Sequence, residues 1–236
     1  MIDVGLLLSM VAAIGVPTLA QRFWPIGTND ASFADLAALP ALAGLIVGRL
    51  VAVAFESPSA FGRVGDLLII RSGVDFWPGA LTAVLIIGVE ARRRGVGAVE
   101  RLAALAPLAL LGYAAYEACC LFRDGCFGPV APLGLRPPGV ATAMVPVGLG
   151  VAIVVAALAV VLRSRQERGA TATEIVLGAV AGVALTRAVA SIWLPHVGQG
   201  LTRPHRTSIV VAALAVVALI GWVARQRASD AASITS

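Results

Sequence analysis

Lysine is missing from this chain: all eighteen basic residues are arginine. Charge of either sign is scarce, at 13% of residues, where a soluble domain carries roughly 25%. That shortage of solubilising surface excludes an ordinary soluble globular fold. Histidine occurs only twice, and the three cysteines lie together at 119, 120 and 126. Neither set has the ligand spacing of a zinc centre, so no metal is expected, and nothing in the sequence calls for a cofactor. The net charge of +5 would suggest nucleic acid in a soluble protein. Here it follows from the arginines that flank apolar segments, and no nucleic-acid partner is expected.

What remains is apolar, 59% of the chain. Seven apolar segments, cut at charge and proline clusters, run at about 4–20, 34–55, 67–90, 99–120, 140–162, 174–194 and 207–224. Since roughly 20 apolar residues span a bilayer as a helix, the fold class is an all-α membrane protein with about seven transmembrane helices. A single transmembrane domain is expected over residues 1–228, with a short C-terminal tail, "SDAASITS", at 229–236. The opening "MIDVGLLLSM" lacks a basic stretch of the kind that begins a secretory signal, so the first segment reads as retained.

Arginine placement orients the spans. Arg92, Arg93 and Arg94 follow the third segment, with Arg101 just beyond; Arg163, Arg165 and Arg168 follow the fifth, and Arg225 and Arg227 the seventh. These ends alternate as seven spans require. The positive-inside rule then puts them in the cytoplasm, with the N-terminus outside and the C-terminus cytoplasmic. The links "ESPSAFGRVGD", "LFRDGCFGPVAPLGLRPPG" and "PHVGQGLTRPHR" become external.

Charges inside the segments stand out, because an ionised side chain at the centre of a membrane helix costs at least about 2.5–3.5 kcal/mol on insertion scales. Glu56, Arg71 and Arg101 lie near segment ends, where they can snorkel or be solvated. Arg49 in "LIVGRLVAVAFE" and Arg187 in "VALTRAVASIW" lie deeper. A carboxylate across the bundle would answer them, with Asp75, Glu117 and Asp124 available. So would an anionic ligand, because guanidinium pairs bidentately with phosphate oxygens. "SGVDFWPGAL" fits either a re-entrant loop lining a site or a short turn before a helix starting at Pro78, with Trp77 as an interfacial anchor.

"EACCLFRDGCFGP", at 117–129, gathers every cysteine at the external face, a compartment that permits disulfides. A bond from Cys119 or Cys120 to Cys126 would close a short loop there. Buried free thiols, a reactive thiol beside Arg123 or a neighbouring histidine, and metal binding, which the "CC-x5-C" spacing serves poorly, are the other readings of the same residues. "RDG" reads as a helix stop, with Arg123 paired to Asp124 or to lipid headgroups.

In order and content these features resemble the prolipoprotein diacylglyceryl transferase family over about residues 34–224: "GRL" at 48–50, "SGVDFWPGAL" followed by "EARRRG", then "RDGCFG", a "PP" stretch and a late helix with an arginine. The resemblance implies a multi-pass protein of the bacterial cytoplasmic (inner) membrane. It implies transfer of a diacylglyceryl group from phosphatidylglycerol to the cysteine thiol of a lipoprotein precursor, at the outer face. Arg49, Arg187 and Arg123 would hold the phospholipid, and Glu117 and Asp75 would serve as acid/base groups or ion-pair partners. Trp77 stands where the family carries a histidine. Ser191 stands where it carries a glutamate one turn after the late arginine, and Cys120 and Cys126 fall near other polar positions of the family pattern. His196 and His205 lie in the last external link. Two other readings stay open: a non-catalytic lipid-binding protein or membrane-complex subunit that keeps the fold, and a thiol-redox membrane protein.

Overall fold

A computed structural model of the chain describes residues 4–26, 31–56, 58, 74–122, 126–137, 139–194 and 202–234. Within them lie seven α-helices: α1 (Val4–Ala20), α2 (Phe33–Glu56), α3 (Phe76–Arg93), α4 (Ala98–Ala118), α5 (Val147–Glu167), α6 (Ala172–Ala190) and α7 (Arg203–Ile234). A 3-10 turn, Cys119–Phe122, extends α4, and one short strand, β1 (Val130–Leu135), bridges to Met144. No sheet forms among the described residues.

Five helices, α2, α4, α5, α6 and α7, are long and apolar enough to cross a membrane. At most 39% of any spanning window is buried inside the protein, so most of each helix faces outward. The outward side chains include Leu42, Ile46, Val154 and Leu214, a surface matched to lipid, where each helix satisfies its own backbone. The chain is a multi-pass membrane protein. α1 contributes a shorter apolar stretch, Leu7–Ala20, and α3 carries Glu90, Arg92 and Arg93 near its end.

Two turns follow one design. After α3, the Val96 N–H donates to the Ala91 carbonyl at 2.9 Å, and Gly95 takes φ +71°. After α5, the Ala170 N–H donates to the Arg165 carbonyl at 3.0 Å, and Gly169 takes φ +84°. Each glycine occupies the left-handed position that closes a helix, where a side chain would be strained. Arg92 and Arg93 in one last turn, and Arg165 in the other, meet the negative end of the helix dipole. Two of the arginine-rich links seen in the sequence are thus tight glycine-closed helix ends, and the one after α5 turns into a packed hairpin with α6.

Boundaries shift where proline and backbone pairing override hydropathy. The apolar run from 140 does not open a helix: the Val145 N–H donates to the Pro129 carbonyl at 3.0 Å, the Ala131 N–H donates to the Ala143 carbonyl at 3.0 Å, and α5 starts only after Pro146. α3 starts at Phe76, with Asp75 as its N-cap, two residues ahead of Pro78. α7 continues to Ile234, through most of the stretch where the sequence suggests a tail.

The chain forms two compact units, residues 28–102 and residues 1–27 with 103–236. In the first, α2 and α3 cross at glycines: a Cβ on Gly44 would lie 2.6 Å from the Gly79 carbonyl oxygen, and one on Gly48 2.6 Å from that of Asp75. In the second, α6 packs between α5 and α7. Gly178 and Gly182 of α6 receive the side chains of Leu162 and Leu158, and Gln166 donates to the Ala103 carbonyl at 2.6 Å.

Thr171 joins two helices of this second unit, α6 and α7. It caps α6 by accepting from the Glu174 N–H at 3.3 Å, and it accepts from Trp222 Nε1 at 3.1 Å and Gln226 Nε2 at 3.4 Å. Losing the cap costs about 1 kcal/mol, and each further hydrogen bond about as much. Thr171→Val is therefore expected to destabilise by about 3 kcal/mol in thermal unfolding in micelles, and Thr171→Ser by much less.

Candidate functional site

One end of α4 meets one end of α6 in the second unit. Tyr113 and Glu117 are four residues apart on α4, which places them on one face of that helix. Arg187, in the last turn of α6, donates from Nη1 to the Tyr113 hydroxyl at 2.5 Å, with its guanidinium carbon 5.9 Å from the tyrosine ring centroid. The same Nη1 lies 3.9 Å from Glu117 Oε1, with side chains 26% and 15% exposed. The tyrosine contact is a hydrogen bond; the glutamate contact is longer than one and acts by charge. An arginine in a spanning helix is thereby held by a hydroxyl and neutralised by a carboxylate.

Ser191 follows one turn after Arg187, its N–H donating to the Arg187 carbonyl at 2.9 Å. Its hydroxyl donates to the Ala188 carbonyl at 2.8 Å and contacts Nδ1 of His205. His205 is buried, 6% exposed, in the first turn of α7, where its N–H donates to Thr202 Oγ1 at 3.4 Å. The segment Cys126–Gly128 lies over this turn: Phe127 is buried, the Gly148 N–H donates to the Cys126 carbonyl at 3.2 Å, and a Cβ on Gly128 would meet the Trp193 carbonyl oxygen at 2.9 Å. Cys126 is disulfide-bonded, and Cys119 is a free thiol, which removes Cys119 from the pairing.

A family model for prolipoprotein diacylglyceryl transferase matches residues 2–223. The chain belongs to the prolipoprotein diacylglyceryl transferase family. No curated protein matches it significantly. The family places the molecule among membrane transferases of lipoprotein biosynthesis, and the match reaches α1, ahead of the region where the sequence resemblance begins.

Within that family frame, the structure brings Arg187 and Glu117 together and adds Tyr113, Ser191 and His205 around them. Arg49 and Asp75 belong to the other unit. There Arg49 is buried, 7% exposed, and the Asp75 N–H donates to the carbonyl of Gly48, the residue before Arg49, at 3.0 Å. Asp75 does not cap α3 through its side chain. Trp77 lies in the first turn of α3, its ring edge-on to Phe76 with centroids 5.1 Å apart. Arg123, Asp124, Arg71 and His196 lie outside the described residues. Among the described residues no group of His, Cys, Asp and Glu could hold a metal ion.

Tyr113 is a site residue that charge and hydropathy alone do not single out, although its four-residue spacing to Glu117 is a usable signal. No sequence signal announces Ser191 meeting His205, fourteen positions apart across the link between α6 and α7.

Proposed function

We propose that this protein holds phosphatidylglycerol by its headgroup phosphate and transfers the diacylglyceryl group to a cysteine thiol of a lipoprotein precursor at the outer face of the bacterial inner membrane. The observation that carries this reading is Arg187, fixed by Tyr113 in a spanning helix and balanced by Glu117 at a distance too long for a hydrogen bond. Tyr113 sets the direction of the guanidinium. Glu117 keeps it neutralised until a phosphate arrives, and a phosphate offers charge-assisted bidentate bonds stronger than a 3.9 Å contact. In the first unit, Arg49 is a further arginine suited to a phosphate, with Asp75 close to it along the backbone.

In the reaction the thiol gives up its proton and the sulfur attacks the glyceryl carbon that bears the phosphate. A C–S bond forms, the C–O bond breaks, and glycerol phosphate leaves with the electron pair. Arginine stabilises the charge gathering on the leaving phosphate, an electrostatic contribution that grows where water is excluded.

The test uses proteoliposomes containing labelled phosphatidylglycerol and a lipobox-cysteine peptide. Label is expected on the peptide thiol in an Arg187-dependent manner. Lipid retained through Arg187 without transfer would mark a non-catalytic lipid-binding subunit. Loss of both would remove the headgroup reading.

A further inference from the structure

We propose that His205, positioned by Ser191, is the proton acceptor for the thiol in this site. The inference rests on the diacylglyceryl-transfer reading and deepens it. Hydrogen bonding fixes the tautomer. Ser191 has one hydroxyl hydrogen, and it is directed at the Ala188 carbonyl at 2.8 Å. The contact between Ser191 Oγ and His205 Nδ1 is then made by an Nδ1–H donating to the serine oxygen. In a neutral imidazole that leaves the lone pair on Nε2, the nitrogen that takes a proton.

Place and burial support the same role. Ser191 lies one turn beyond Arg187 on α6, on the same helix face and about 6 Å along its axis. The imidazole is thus tied to a residue one turn from the guanidinium. His205 is buried at 6% exposure, in the opening turn of a helix that packs directly on α6. The charged groups at this end are Arg187 on α6, with Glu117 of α4 beside it, and Arg203 and Arg206 on α7. Glu117 is engaged with Arg187. Among the described residues, His205 is the imidazole that the fold brings to this end of α6.

The step balances simply. The thiol proton passes to Nε2, the thiolate attacks the glyceryl carbon, and the departing phosphate ester takes up a proton as the histidine returns to its neutral form.

The test compares wild type with His205→Asn in proteoliposomes of phosphatidylglycerol with the lipobox-cysteine peptide. The asparagine amide nitrogen sits where Nδ1 sits, so the variant keeps a donor for Ser191 and lacks Nε2. A positioned base contributes roughly 10²–10⁴-fold. Transfer is expected to fall by that factor while phosphatidylglycerol retention stays at the wild-type level. The deficit should narrow as pH rises toward the thiol pKa of about 8.5, because an ionised thiol needs no base. Ser191→Ala should lose less, and its deficit should narrow in the same way. Wild-type transfer by His205→Asn would overturn the assignment, as would a deficit that stays constant with pH. Absence of transfer by the wild type would instead sink the transfer reading beneath it.

Discussion

Arg187→Ala is expected to lower phosphatidylglycerol retention and diacylglyceryl transfer by about 10²-fold or more, and to lower thermal stability with them. Two mechanisms add. The bidentate phosphate contact is lost, and charge-assisted hydrogen bonds of that kind contribute about 1.5–3 kcal/mol each. Glu117 also loses its counter-charge, and removing one partner of a buried pair costs about 3–5 kcal/mol. With the two side chains 26% and 15% exposed, the lower end of that range applies.

A second substitution separates the two. Arg187→Ala with Glu117→Gln removes both charges, so the stability loss should shrink while lipid retention stays low. The coupling follows from a double-mutant cycle on melting temperature and on retained lipid. Recovery of lipid retention in the double variant would show that the arginine serves the fold alone. Arg187→Lys should keep the charge balance and recover only part of the retention, because an ammonium lacks the planar fork.

The other large effect is expected at the α2–α3 crossing. A Cβ on Gly79 would stand 2.7 Å from the Gly44 carbonyl oxygen, and the reciprocal position is as close. Both obstacles are backbone atoms, which cannot rotate aside as a side chain could. Gly79→Val must push the helices apart, at a cost of about 3 kcal/mol or more. Gly150 is the matched control, a helical glycine where an added Cβ would meet nothing within 4 Å. Gly150→Ala should be neutral, or stabilising by up to about 1 kcal/mol through helix propensity. Equal melting temperatures for the Gly79 and Gly150 variants would sink the close-crossing account. Because Gly48 sits in the same crossing, Gly79→Val should also disturb its buried neighbour Arg49.

The parts of this architecture that the sequence announces are those written in local chemistry. Arginine clusters followed by glycine mark helix ends because a closing turn favours both a left-handed residue and positive charge. Apolar length marks the spans. Hydropathy fails where an apolar residue has somewhere else to go. Residues 140–146 are apolar enough to continue a helix, yet Ala143 and Val145 pair with the backbone of Ala131 and Pro129 instead. The site divides in the same way. Arg187 is conspicuous because a charge in a spanning helix demands a partner, and Glu117 is among the few carboxylates available. Which of them it meets is a matter of helix packing. The approach of His205 to Ser191 depends on the path of a whole link and has no periodic signature.

The order of the partners along the chain bears on how the membrane receives them. Tyr113 and Glu117 belong to α4 and are synthesised well before Arg187 of α6. Glu117 sits in the last turn of α4, where its carboxylate can rest in headgroup water during synthesis. When α6 follows, its arginine enters beside a hydroxyl and a carboxylate already present at that depth. The insertion penalty of an isolated guanidinium, smaller near a helix end than at its centre, is then offset by these partners. A chain with the reverse order would have to lodge its cation in lipid before any counterion existed.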